Sequence, residues 1–264
     1  MKDFEFHQPS SVADAVALLK ARPDAKLLSG GQSLLPAVKL DLAAPSDLVS
    51  LAHVKDLGDI RVDGDRVVIG ALVTHDAVHR SPDVAKMIPA LAELAGQIGD
   101  AQVRNRGTIG GSLAHADPAA DYPAAVLGLG ATIATDRRRI AADDFFTGLF
   151  ATALARDEII TAVHFPKPKR AAYAKFAHRA SKYALVGVMV ADTAAGIRVA
   201  VTGAGATVFR VPAMEAALAK SWSPDAIANI TVPTDDLVGE LEASAEYRAH
   251  LVTVMAKRAV QSAR

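Results

Sequence analysis

The residues able to do chemistry in this chain cluster in a few short polar and glycine-bearing stretches. Two of these share a plan. Leu27-Leu28-Ser29-Gly30-Gly31-Gln32-Ser33-Leu34-Leu35-Pro36 and Val103-Arg104-Asn105-Arg106-Gly107-Thr108-Ile109-Gly110-Gly111-Ser112-Leu113 each set a Gly-Gly pair beside hydroxyl residues after an apolar lead-in. Glycine pairs let a backbone turn sharply and bring its N–H groups close to an anion. One such stretch is a weak signal. Two, a subdomain apart, predict the two walls of a single phosphate-bearing cofactor site.

Other constellations compete with that reading and fall short. Gly31-Gln32-Ser33-Leu34-Leu35 resembles a nucleophile elbow but ends in leucine, where strand–turn–helix packing requires glycine. Ser112, His115, Asp117 and Asp121 lie within ten residues of one another, which suits a polar loop better than a hydrolytic triad. His75 and His79 are four apart and would share a helix face, yet no further ligand pattern accompanies them, so a solvated face is expected. Arg137-Arg138-Arg139 follows a strand and is expected to tip a hairpin into solvent; contact with a partner or an anionic electron acceptor is its sharper reading. Neither common nucleotide fingerprint is present: there is no P-loop, and Gly128-Leu129-Gly130-Ala131-Thr132-Ile133 lacks the third glycine and leads into a strand.

Composition narrows the classes further. With 264 residues and 51% hydrophobic content the chain can fill one large core or two ordinary ones. Lys and Arg number 29 and so do Asp and Glu, so no net field draws it to nucleic acid or to a membrane surface. Without cysteine it forms no disulfide, no cysteine-ligated zinc or iron–sulfur site and no catalytic thiolate. The opening Met1-Lys2-Asp3-Phe4-Glu5-Phe6 does not read as a signal peptide, and no apolar run of about 18 residues predicts a membrane span. The cytoplasm is the expected compartment.

The elements that must position these stretches follow from periodicity. Phe4–His7 reads as a strand, residues 10–19 as a serine-capped amphipathic helix, and 26–28 and 47–51 as strands, together a small α/β unit. From Ile60 the texture changes: two alternating runs around Asp63-Gly64 predict a hairpin. Helices are expected from Thr74, over 89–98 and over 122–129, and strands over 131–135 and 159–165. Pro166-Lys167-Pro168-Lys169-Arg170 reads as an exposed linker and a domain boundary. Strands over 172–178, 184–190 and 197–202 and helices over 212–220 and 245–263 make the tail α+β.

The constellation as a whole resembles a known family. Ser29 through Leu40, Val103 through Asp121, Lys175 through Val188, Val201 through Thr207 and Glu246 through Leu251 are similar to the FAD-binding medium subunit of molybdenum hydroxylases, the group of carbon monoxide dehydrogenase and xanthine dehydrogenase. The resemblance implies an α+β chain. A two-subdomain FAD-binding domain of the PCMH (vanillyl-alcohol-oxidase-like) type would span 1–166, its subdomains about 1–54 and 55–166. A C-terminal domain with a small antiparallel sheet and helices would span 170–264. It implies FAD held by Ser29, Gly30, Gly31, Gln32, Ser33 and Leu34 and by Thr108, Gly110, Gly111 and Ser112. Asp121 would lie on the adenosine or ribityl side and Tyr183 over the isoalloxazine.

Because the flavin carries the redox chemistry, the family reading assigns no catalytic side chain and no metal ligand. It implies partners too: a small subunit with two [2Fe-2S] clusters and a large subunit with the molybdenum cofactor, arranged as a dimer of heterotrimers that passes electrons to an external acceptor. A self-sufficient FAD oxidase or reductase is the alternative, and a scaffold that has lost its flavin is a third. Two positions depart from the pattern. Gln32 stands where the family often has histidine and so cannot titrate, and Lys182 stands where an acid commonly precedes the aromatic residue.

Overall fold

A computed structural model describes residues 2–264. The first unit is a three-stranded parallel sheet of β1 (Glu5–His7), β2 (Lys26–Leu28) and β3 (Asp47–Ser50), with β3 in the middle. Two helices connect its strands, α1 (Val12–Ala21) and α2 (Leu34–Lys39). Ser11 caps α1 by accepting a hydrogen bond from the Asp14 N–H at 3.1 Å, and Ala15 and Leu19, four apart, form its buried stripe. They close a small core with Val49, Leu51, Val54 and Leu57.

The second unit is built on a five-stranded antiparallel sheet. Its hairpin pairs β4 (Ile60–Asp63) with β5 (Arg66–Gly70), so the turn residues are Gly64 and Asp65 and the positive φ of +61° falls on Gly64. Five helices follow: α3 (His75–Arg80), α4 (Pro82–Met87), α5 (Pro89–Gly96), α6 (Ala101–Arg104) and α7 (Ile109–His115). After α8 (Tyr122–Gly128) come β6 (Thr132–Thr135), β7 (Arg139–Ala141), α9 (Ala142–Phe145), the short pair β8 (Phe146–Gly148) and β9 (Ala151–Thr152), and β10 (Ile160–Pro166). The sheet order is β4-β5-β10-β6-β7, so the last strand of the unit returns to its centre.

The third unit is an antiparallel sheet of β11 (Arg170–Ala177), β12 (Ala184–Thr193), β13 (Gly196–Thr202) and β14 (Phe209–Arg210), with α10 (Pro212–Lys220) and α11 (Ala245–Ser262) packed against it. One face of this sheet buries Val186, Val188, Val190, Val199 and Val201 under the two helices. The other sends Tyr173, Met189, Ala191 and Ala200 into the core of the second unit. Alternation along the strands is what lets one sheet serve two cores.

Two expectations change. The 166–170 segment is shorter and better held than a free linker: Pro166 ends β10, Arg170 begins β11, and Pro168 is buried. The Arg137-Arg138-Arg139 run is exposed on the β6–β7 hairpin, as expected, but two of its guanidinium groups are tied down rather than free in solvent. Arg138 grips Glu158 through Nε and Nη2, both at 2.8 Å, and Arg137 reaches Asp157, because the turn after β6 lies over the 157–158 segment.

Candidate functional site

The two glycine stretches meet. The Ser29 and Thr108 hydroxyls are hydrogen-bonded to each other across 79 residues of chain, and a Cβ on Gly30 would overlap the Arg106 carbonyl oxygen. Backbone packs directly on backbone here, which only glycine permits. The expected two walls of one site are thus brought into contact, the first by the end of β2 and the second by the turn before α7.

Their chemistry differs. In the first stretch Gly31 has φ +72°, and the chain winds into α2 with Ser33 in the N-cap position. Among the described residues no protein acceptor takes the N–H groups of Gly30, Gly31, Gln32 or Ser33, a run of consecutive donors of the kind that forms an anion nest. The second stretch is the first turn of a helix rather than an open loop. Its N–H groups are answered by the protein: Ile109 donates to Val73 O at 3.1 Å, Gly110 to Ala71 O at 2.9 Å, Gly111 to the capping Thr108 hydroxyl at 3.1 Å, and Ser112 to Thr108 O at 3.0 Å. The expectation of two equivalent sets of presented amides is therefore corrected. Thr108 spends its cap on Gly111, and what this wall offers is the partly buried Ser112 and a close approach at Gly111.

His75 underpins the second wall. Its N–H donates to Gly107 O at 3.0 Å, and its ring fills the space a Cβ on Gly107 would need. It is 5% exposed, so the solvated helix face expected for His75 and His79 holds for His79 alone, whose exposed ring also shares a 2.9 Å hydrogen bond with the Ala92 carbonyl. Burial, and then the Arg104 charge, hold the His75 imidazole down at about 4, so it is neutral at pH 7. Its Nδ1 and the hydroxyl of the adjacent Tyr122 ring are buried without a protein partner among the described residues.

Beyond α7 the chain runs into the 116–121 segment, which the third unit holds from outside. The Thr202 hydroxyl lies 2.9 Å from Pro118 O and 2.6 Å from Ala120 O, Gly203 N–H donates to Pro118 O at 2.8 Å, and Ala184 N–H to Ala119 O at 3.2 Å. Asp121, 4% exposed, has one carboxylate oxygen accepting from the Tyr173 hydroxyl at 2.6 Å and the other from Lys175 Nζ at 2.9 Å. Burial pushes its carboxyl up, against the pull of Lys175 and Tyr173. Tyr183 stands nearby on the turn between β11 and β12, 44% exposed, its hydroxyl raised by desolvation and then by the Asp117 and Asp121 charges. Sequence reasoning missed Tyr173, Lys175 and Thr202. The available signal was two polar residues at positions 173 and 175, which a strand places on one face beside the buried Asp121.

A second cluster of ligand-type atoms joins Glu5, His7 and Asp47. Arg22 already supplies its positive charge, with Nη1 3.1 Å from Asp47 and 3.5 Å from Glu5. It reads as an ion-pair network that ties β1 and β3 to the end of α1.

Known proteins match this architecture along its whole length. The family of FAD binding domains in molybdopterin dehydrogenase matches residues 2–168, and that of the CO dehydrogenase flavoprotein C-terminal domain matches 171–263. The medium subunit of nicotine 6-hydroxylase from Paenarthrobacter nicotinovorans is 39% identical over 98% of this chain and 96% of its own length. The carbon monoxide dehydrogenase medium chain of Hydrogenophaga pseudoflava is 37% identical with the same coverage. Among solved structures, carbon monoxide dehydrogenase from H. pseudoflava superposes with a TM-score of 0.89 at 36% identity over 99% of this chain and 97% of that one. Quinoline 2-oxidoreductase from Pseudomonas putida 86 gives 0.89 at 30%, with the same coverage. The chain belongs to the FAD-binding medium subunits of molybdenum-containing dehydrogenases, and is the flavoprotein subunit of an oxidoreductase. No helix among the described residues is long and apolar enough to cross a membrane.

Proposed function

We propose that the chain is an electron-transfer subunit. It takes electrons from iron–sulfur clusters in a small partner subunit, which receive them from a molybdenum centre in a large one, and hands them through FAD to an external acceptor. The observation that carries this reading is the run of unanswered N–H groups at Gly30–Ser33 beside a glycine cradle, inside a chain of the FAD-binding family. Such a run fits a pyrophosphate dianion without needing net basic charge.

In this reading Ser29, Gly30, Gly31, Gln32, Ser33 and Leu34 hold the pyrophosphate. Thr108, Gly110, Gly111 and Ser112 close the opposite wall. The Asp121–Lys175 pair fixes the 116–121 segment toward the adenosine or ribityl side, and Tyr183 covers the ring system. Bound FAD supplies the one- and two-electron chemistry, and the side chains bind, orient and exclude water. A domain boundary at 166–170, a dimer of heterotrimers and a cytoplasmic location complete the proposal. The relatives support the partner arrangement because they are themselves named as medium subunits or chains.

The test is co-purification from the native source. The expected preparation contains two further chains with molybdenum and iron, plus flavin that dissociates with this chain. Elution of this chain alone, with full turnover of a substrate and neither metal present, would favour the self-sufficient oxidase instead.

A further inference from the structure

A cleft of about 150 Å³ lies where the chain crosses from β10 to β11, lined by residues of the α4–α5 corner, the 167–171 segment and Arg264. Its charged lining is Lys86, Lys167, Lys169 and Arg264, and its remaining lining is Met87 through Ala90, Pro168 and Ala171; no acid lines it. In a chain whose charges cancel overall, four cations around one depression make a local positive field that net charge conceals. Part of that field is answered: Lys169 reaches Asp192 at 3.8 Å and Arg264 pairs with Glu93. Lys86 and Lys167 are exposed, and among the described residues neither has an acidic partner.

The cleft is also held in shape. Lys167 N–H donates to Asp65 O and Lys169 N–H to Asp192 O, both at 2.8 Å, while Ala171 N–H donates to Arg264 O at 3.1 Å. Pro168 fixes the backbone between them. A cleft ordered before binding has little entropy left to lose when a ligand docks. At about 150 Å³ it is smaller than the roughly 300 Å³ of typical small-molecule sites, a size that suits one or two side chains. Cations at the rim select carboxylates, and the apolar floor selects the aliphatic stems that carry them.

We propose that this cleft docks an acidic segment of a protein partner, seating one or two Asp or Glu side chains among Lys86, Lys167, Lys169 and Arg264. The partner is another subunit of the complex, so the proposal rests on the multi-subunit reading above. It concerns a face other than the glycine junction.

The test uses the complex purified from the native source or reconstituted with its own subunits. Lys86→Glu combined with Lys167→Glu is expected to weaken association at least about tenfold and to lower the salt concentration at which the partner is released. Lys86→Gln with Lys167→Gln is expected to give a smaller shift of the same sign. Flavin content, read in the same samples, is expected to stay unchanged. Unchanged affinity and salt dependence in both variants would overturn the proposal. So would sub-millimolar binding of inorganic phosphate to the isolated chain that both variants abolish, since the cleft would then be a small-anion site. A chain that never carries flavin would defeat the FAD reading and leave the association result to be judged on its own.

Discussion

The two glycine stretches look alike in sequence and do different work in the fold. At Gly30–Ser33 the N–H groups face no protein acceptor among the described residues, and Gly31 bends the chain through a left-handed conformation. At Thr108–Ser112 every N–H from Ile109 to Ser112 is spent on the fold, and the glycines are there because Ala71, Thr108 and Ser29 leave no room for a Cβ. In the proposed site the first stretch is the one open to a ligand, while the second is a buttress that holds it in place. Glycine spacing alone does not separate these roles; the destination of each N–H does.

Side chains forced into the two stretches test that division: at Gly30 one displaces backbone and costs both stability and flavin, whereas at Gly111 one parts the stretches and costs mainly flavin. The largest effect is expected for Gly30→Val, which drives a side chain into the Arg106–Gly107 backbone, a neighbour that cannot step aside. It should lower stability by about 3 kcal/mol and abolish flavin retention, measurable by denaturant melts and by flavin absorbance. A variant that keeps both would show that the two stretches do not touch.

Acid is expected to act on the buttress through His75. Its folded value of about 4 lies below the ordinary 6.5, so the unfolded chain binds the proton more readily. The contribution is full above pH 6.5, fades as pH falls from 6.5 toward 4, and amounts to on the order of 3 kcal/mol. Stability curves between pH 7 and pH 4 check this, and His75→Phe should flatten that part of the profile. An unaltered slope in the variant would remove His75 from the account.

Gly111→Val is expected to place a Cβ 2.9 Å from the Thr108 hydroxyl and 3.1 Å from that of Ser29, parting the two stretches at their hydrogen bond. Flavin retention should be lost in a chain that still folds, with stability lower by about 1–2 kcal/mol. Thr108→Val should do least, losing one helix cap for about 1 kcal/mol and loosening flavin only modestly. Flavin loss in Thr108→Val as complete as in Gly111→Val would mean that the Thr108 hydroxyl itself is a ligand group, and the contrast between the stretches would need revision.

Much of this was legible in the sequence because it depends on local periodicity. The serine-capped first helix, the 60–70 hairpin, the helix over 212–220 and the strands of the third unit follow from apolar spacing and turn residues. The contact between residues 29 and 108 was inferable only as a pair of similar motifs. Local rules gave no sign that the second would be the start of a seven-residue helix, since Gly110 and Gly111 are poor helix formers. Tertiary contacts at Ala71 and Val73 override that preference by accepting its first N–H groups. The Asp121–Lys175 pair was harder to read: it joins residues 54 apart, and polar residues at 173 and 175 mark one strand face without marking its partner.

Residue-resolved amide hydrogen exchange, with and without FAD, tests the central claim most directly. In the flavin-free chain the N–H groups of Gly30, Gly31, Gln32 and Ser33 are expected to exchange fast and those of Ile109 through Ser112 slowly. Added FAD should protect the first group strongly and change the second little. Equal protection of both groups before FAD is added, or saturating FAD that leaves Gly30–Ser33 exchanging as fast as before, would contradict the assignment of the first stretch as the pyrophosphate cradle.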